Sequence, residues 1–329
     1  MPKKIAVLLL NLGGPDSIPA IKPFLTNLFL DRQIIRLPLQ PIMARLIARG
    51  RAKKVAMRYE VIGGKSPILD LTNEQADSVK KALNDTGEIT DVNVSFEAFV
   101  GMRYWHPLIG DVVNEIKKTD FDELIVLSLF PHYSKATTGS CVHEFETTLG
   151  KSDLKVEVID RWFDQPLYLD ALAETIKEGL NEFPEELRKE VQVLFSAHAL
   201  PQEFVDDGDP YPEHLQATID GVLKRTGELN WHLSYQSRSG PVKWMEPQTD
   251  AEIKRLASEG HTSILAVPIS FVSDHIETLF EIDIMYKELA NEHGIKEFKR
   301  SPSLNSRPTF IKALSEMIWE RAVKQNERE

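Results

Sequence analysis

Short apolar, β-branched runs alternate along the chain with longer stretches of helical periodicity. The runs at 5–11, 92–99, 124–130, 154–159, 191–197, 232–235 and 263–268 are predicted strands. Those at 5–11, 124–130 and 263–268 are apolar almost throughout, the pattern of parallel strands buried on both faces. The runs at 92–99 and 154–159 alternate more and are expected nearer a sheet edge. Helical periodicity marks 109–118, 167–181, 213–225, 249–258, 275–292 and 308–324. Thr72 and Gln75 have capping-box spacing and predict a helix opening there and running to about residue 83. Strand–helix alternation of this kind implies βαβ units and open parallel sheets flanked by helices.

The halves echo each other. Leu124-Ile-Val-Leu-Ser-Leu-Phe-Pro-His-Tyr-Ser134 resembles Ser263-Ile-Leu-Ala-Val-Pro-Ile-Ser-Phe-Val-Ser273. Leu8-Leu-Leu-Asn-Leu-Gly-Gly-Pro15 and Leu194-Phe-Ser-Ala-His-Ala-Leu-Pro201 each open a half with strand, loop and proline. The expectation is an α/β protein of two similar domains, 1–165 and 166–329. The first includes a cleft lip at about 20–65, and the C-terminal helix is expected to pack back on it. In such folds ligands sit beyond the carboxyl ends of the strands, so the loops leaving those ends are where chemistry is sought.

Composition narrows this. At 329 residues, with 42% hydrophobic and 27% charged, the chain is globular and long enough for two cores. The single cysteine, Cys141, excludes an intramolecular disulfide and a cysteine-ligated cluster, and points to a reducing, cytoplasmic compartment. A net charge of -11 argues against nucleic acid as a partner. Yet positions 32–58 hold eight Lys or Arg and no acid, interleaved with Ile34, Ile35, Leu39, Ile42, Met43, Leu46 and Ile47. This island reads either as an ordinary amphipathic helix or as a lip touching an anionic membrane surface. No uncharged apolar stretch is long enough to span a bilayer, and Lys3-Lys4 followed by 5–10 reads as a first strand, since no small-residue cleavage site follows.

Several familiar signatures fail. Gly63-Gly-Lys-Ser66 lacks the first glycine and the preceding strand of a phosphate loop, and His143-Glu144 lacks the second histidine of a zincin. Ser196 and His198 share a strand face at roughly 6–7 Å, too far for a nucleophile and its base. Two loops remain. His198 stands at a strand's carboxyl end, where an isolated histidine is as readily a hydrogen-bonded loop residue as a catalytic one. In Ser273-Asp-His-Ile-Glu-Thr-Leu-Phe-Glu281, at about 100° per residue, Asp274, Glu277, Glu281 and Glu288 fall within about 60° of each other. They form either a solvated acidic face or a row of carboxylates that holds protons and attracts cations. Imidazole with carboxylate suits a borderline divalent metal such as Fe2+ and leaves open positions.

At these residues the sequence resembles the ferrochelatase family, which inserts ferrous iron into a porphyrin. The resemblance is carried, in the family's order, by Leu10-Asn-Leu-Gly-Gly-Pro15, Ile62-Gly-Gly-Lys-Ser-Pro67, Met102-Arg-Tyr-Trp-His-Pro107, Pro131-His-Tyr-Ser-Lys-Ala-Thr-Thr-Gly139, Phe195-Ser-Ala-His-Ala-Leu-Pro201, Tyr235-Gln-Ser-Arg-Ser-Gly-Pro241 with Trp244, and 273–281. It implies His198 and Glu277 as catalytic and metal-contacting residues, and Asp274, His275 and Glu281 as a proton or metal relay. It implies Leu12, Arg51, Tyr59, Ser66, Arg103, Ser237 and Trp244 as porphyrin contacts. It further implies two Rossmann-like domains with the active-site cleft between them, porphyrin and ferrous iron as substrates, a lyase of haem biosynthesis, and no permanently bound cofactor.

The chain departs from some members. Mitochondrial ones hold an iron–sulfur cluster on four cysteines; here Cys141 stands alone, so no cluster is expected. Coproporphyrin-type members carry a tyrosine in the first loop, where this chain has Leu12, which favours protoporphyrin IX. The alternatives are a chelatase for coproporphyrin III or another tetrapyrrole, and a non-catalytic porphyrin or haem carrier. A carrier needs no proton acceptors at the ring centre, so the acidic row discriminates against it.

Overall fold

The computed structural model describes residues 2–90 and 92–323. It contains two four-stranded parallel sheets of identical order. Strands β1 (Lys3–Asn11), β2 (Val94–Met102), β3 (Glu123–Ser128) and β4 (Lys155–Ile159) form the first, in the order β2-β1-β3-β4. Strands β5 (Gln192–His198), β6 (Asn230–Gln236), β7 (Ser263–Val267) and β8 (Glu297–Arg300) form the second, in the order β6-β5-β7-β8. The two runs that alternate, β2 and β4, are the edges of their sheet, as their patterning requires. In β1, residues Ile5 to Leu10 are wholly buried, and β3, β5 and β7 are buried along nearly their whole length.

The first unit comprises Met1–Trp162 and Asn305–Glu329, the second Phe163–Leu304. The expected boundary at 165 thus falls three residues earlier. The second unit ends at Leu304 instead of 329, because α11 (Pro308–Val323) packs against α3 (Ile68–Ile89). The first unit's other helices are α1 (Ile21–Leu30), α2 (Gln40–Val61), α4 (Ile109–Ile116) and α5 (Ser140–Leu149). The second unit holds α6 (Pro166–Asn181), α7 (Gln202–Asp206), α8 (Tyr211–Thr226), α9 (Thr249–Ser258) and α10 (Lys287–Glu292).

Two expectations are corrected. The helix predicted to open at Thr72 begins at Ile68, with Pro67 before it. Thr72 is buried one turn inside, donating to the Ile68 carbonyl at 2.6 Å and accepting from Asn11 Nδ2 at 3.2 Å. The capping-box spacing there is coincidental. The stretch 275–292 is not one α-helix: Glu277–Tyr286 is π-helical and only then continues as α10. A shorter π-helix, Lys135–Gly139, follows β3 in the first unit. Each sheet's third strand therefore leads through a loop to a π-turn, which extends the internal echo seen between 124–134 and 263–273.

Candidate active site

In an open parallel sheet the crevice opens where strand order reverses. In the second sheet that point lies between β5 and β7. His198 is the last residue of β5, and the loop after β7 carries Ser270 to Glu277. The topology thus brings together the two loops that the sequence left in separate places.

His198 is fixed by its backbone. Its N–H donates to Ser270 Oγ at 2.8 Å, and its carbonyl accepts from the Tyr211 hydroxyl at 3.0 Å. Its ring meets Phe271 edge-on, with centroids 6.0 Å apart. Phe271 in turn lies 4.3 Å from the His275 ring, and His275 Nε2 stands 3.2 Å from Glu277 Oε2. An apolar ring therefore separates the two imidazoles. Burial pushes the His198 pKa below its ordinary value; the Glu277 carboxylate partly restores it and His275 lowers it further. Burial pushes His275 down to about 4, opposed by Asp274 and assisted by Arg300. Both imidazoles are neutral at pH 7, so both can accept a proton or a cation.

Behind them, Gln236 at the end of β6 acts as a bracket. Its Nε2 donates to the Glu277 carbonyl at 2.9 Å and to Glu281 Oε2 at 3.2 Å, while its Oε1 accepts from Ser196 Oγ at 2.6 Å. Ser237 Oγ donates to the same Glu281 oxygen at 2.5 Å. Glu281 is buried, so the reading of a solvated acidic face fails for it. Glu288 lies beyond the π-segment and is exposed, because the wider π-turn breaks the 100° spacing that placed it in line. Asp274 points elsewhere: it pairs with Arg300 Nη1 at 3.0 Å and accepts from Ser303 Oγ at 2.7 Å and Thr278 Oγ1 at 3.1 Å. Trp244 bridges to Pro201, and its buried indole N–H has no hydrogen-bond partner.

In the first unit, the loop after β1 is held on the residues at 102–105 and 66. Tyr104 N donates to the Leu12 carbonyl at 3.0 Å, and Ser66 N to the Pro15 carbonyl at 2.8 Å. A Cβ on Gly14 would lie 2.6 Å from Ser66 Cβ and Oγ, so only glycine lets this loop approach Ser66 so closely. Tyr59 is buried at the end of α2, and Gly64, at φ +83°, turns the chain so that its N–H reaches the Tyr59 carbonyl at 2.7 Å. Arg51 is exposed, its guanidinium 5.6 Å over the Phe29 ring.

Arg103 is differently placed. Its Nη2 lies 3.1 Å from Asp31, its Nη1 3.2 Å from Glu144, and its Nε donates to Ser140 Oγ at 2.8 Å. Asp31 also accepts from Tyr104 and, in a very short bond, from Ser140. Burial raises the Asp31 pKa, but these donors and Arg103 outweigh it and hold it below the ordinary value. Arg103 thus anchors the end of α1 through three contacts, which engage three of the five guanidinium N–H donors.

Sequence reasoning missed Gln236, Ser270, Phe271, Tyr211 and Arg300. Gln236 and Phe271 stand inside or beside quoted motifs, and a polar side chain ending an otherwise regular strand is the available signal for Gln236. Arg300 had none, since β8 is four residues long and went unpredicted. Among the described residues no cluster of three or more His, Cys, Asp or Glu is poised as a resident metal site.

A family model described as Ferrochelatase matches residues 4–322. A Ferrochelatase from Geotalea daltonii is 52% identical over 323 residues, covering 97% of this chain and 98% of that protein. One from Aquifex aeolicus is 44% identical over 318 residues, covering 96% and 98%. The solved structure of SirB from Bacillus subtilis with Fe3+ is similar at a TM-score of 0.58 and 10% identity, covering 99% of this chain and 98% of that one, which is a likeness of fold.

Proposed function

The chain belongs to the ferrochelatase family, whose members are lyases, and on that premise we propose that it inserts Fe2+ into protoporphyrin IX, with iron as substrate and no permanently bound cofactor. The supporting observation is the array His198–Phe271–His275–Glu277 at the switch point of the second sheet, with Glu281 buried behind it. Insertion breaks two pyrrole N–H bonds as iron–nitrogen bonds form, and two protons leave. Iron stays ferrous, so no oxidant is needed. A base beside the ring centre must be unprotonated at working pH, and the depressed pKa of His198 meets that condition. Glu277, 3.2 Å from His275, is the adjoining acceptor and iron contact. Glu281, held by Ser237 and Gln236, is the next carboxylate inward and takes protons onward. Leu12, Arg51, Tyr59, Ser66, Arg103, Ser237 and Trp244 are proposed porphyrin contacts. Leu12, in place of a tyrosine, favours protoporphyrin.

The test is anaerobic Fe2+ or Zn2+ insertion by the purified protein, followed by absorbance, with protoporphyrin IX and coproporphyrin III in parallel. Turnover of protoporphyrin supports the assignment; turnover of coproporphyrin alone replaces it with the coproporphyrin reading, and stoichiometric haem binding without turnover with the carrier reading. Glu281→Gln should lower kcat by about tenfold with porphyrin KM nearly unchanged, because the amide keeps the hydrogen-bonded shape and cannot carry a proton. A purely thermal effect would assign Glu281 a structural role.

We also propose transient contact with an anionic membrane surface, through α2, by a cytoplasmic enzyme. No helix among the described residues is long and apolar enough to cross a membrane. Beyond its inward face, α2 exposes further apolar residues: Ile42, Leu46 and Met57 are more than half exposed beside Arg45, Arg49 and Lys53. Leu39, just before the helix, is 73% exposed. Exposed apolar side chains among cations suit an interface whose headgroups are anionic, at about 1 kcal/mol per cation. Co-sedimentation with anionic vesicles should exceed that with neutral ones and fall with salt. Equal partitioning into both would refute it.

A further inference from the structure

The π-helix that carries Glu277 and Glu281 runs for ten residues. Such helices occur mostly as single-turn bulges, so one this long needs support from outside its own backbone. Gln236 holds its first turns, and one further side chain spans its length. Arg300, the last residue of β8, donates from Nε and Nη2 to the two carboxylate oxygens of Asp283, at 2.8 and 2.9 Å. Its Nη1 meets Asp274 Oδ1 at 3.0 Å and Ser303 Oγ at 3.1 Å. Asp274 stands just before the π-helix and receives Thr278 Oγ1, which itself accepts from the His275 N–H at 3.0 Å. Asp283 lies within the π-helix. One guanidinium thus ties two points that bracket His275, Glu277 and Glu281.

The anchor is rigid. Arg300 pairs in register with Ala266 of β7, the strand next to β5 and its terminal His198. The guanidinium is largely buried; burial opposes its charge, and the carboxylates of Asp283 and Asp274 more than offset this. Only a planar fork can serve both carboxylates at once; a lysine's point charge cannot keep the bidentate pair and the third contact together.

We infer that Arg300 is a positioning residue for metal insertion: its fork across Asp274 and Asp283 holds the π-helix in the winding that sets Glu277 and Glu281 relative to His198. This rests on the chelatase reading proposed above for its kinetic consequence, and on contacts alone for its structural one.

The experiment joins turnover with amide hydrogen exchange of the full chain, in Arg300→Lys, Arg300→Gln, Asp283→Asn and the Arg300→Gln/Asp283→Asn double variant. Both Arg300 variants should lose about tenfold or more in kcat, with porphyrin KM within about twofold, since small displacements of reacting groups cost that much. Exchange should quicken by about tenfold across 277–286 while β5 and β7 stay protected. The double variant should be no worse than Arg300→Gln alone, because both remove the same bond. Normal kcat in both Arg300 variants would overturn the inference. So would exchange that quickens evenly over the whole second unit, or a kcat loss with unchanged exchange at 277–286. If the unsubstituted protein turned over no porphyrin, the chelatase reading would fail by itself, and the exchange comparison would still decide whether Arg300 braces the π-helix.

Discussion

His198→Ala lowers metal insertion by roughly two to four orders of magnitude, the range a positioned general base contributes, while porphyrin still binds. The imidazole is half-buried, its pKa lies below the ordinary value, and its backbone is fixed by Ser270 and Tyr211 independently of the ring. Removing the ring therefore deletes a proton acceptor without freeing the strand end that presents it. The contacts proposed for the macrocycle are other side chains, so affinity should hold to within a few-fold. Porphyrin fluorescence titration measures the binding, and initial rates of Zn2+ insertion measure the chemistry. Partial recovery on adding free imidazole would identify the lost group as the base. Near-normal turnover would remove His198 from the reaction.

Glu277→Gln is expected to lose turnover by roughly two to three orders of magnitude, and to move the acid limb of the residual activity to lower pH. The amide has the carboxylate's shape but neither accepts a proton nor contributes a negative charge. That charge is what raises the His198 pKa against burial, so without it His198 stays neutral to lower pH. Stability also falls toward acid pH, through His275. His275 is pushed from 6.5 to about 4, so the unfolded chain binds its proton more readily than the folded one. Its contribution is complete above about pH 6.5 and is lost as pH falls from there toward 4. Melting curves recorded beside the rate profile separate this unfolding from the titration of the base. An acid limb that moves to higher pH in Glu277→Gln would show that Glu277 does not act on His198 in this way.

The strand–helix alternation, the two similar halves and the loops that carry the chemistry were legible from local pattern, because they depend on side-chain periodicity and on residue types within a few positions. Hydrophobicity along β1, β3 and β7 marks strands buried on both faces wherever they stand in a sheet. The motifs around His198 and Glu277 were likewise contiguous, and they led to the family by resemblance. The basic island at 32–58 was visible as composition, but which of its apolar residues face solvent was not, since that depends on how α2 packs.

Tertiary structure decided what is held by distant partners. The order β6-β5-β7-β8 puts His198 beside the loop after β7, and no stretch of sequence records which strands are neighbours. The π-helix defeated a reading at 100° per residue, because its winding is set by Arg300, Gln236 and Ser303 from other elements as well as by its own residues. Arg103 has the chemistry of a propionate anchor, and its contacts with Asp31, Ser140 and Glu144 come from other elements. Residue type says what a side chain can bind; which partner it binds is set by long-range packing, and that is a property of the fold.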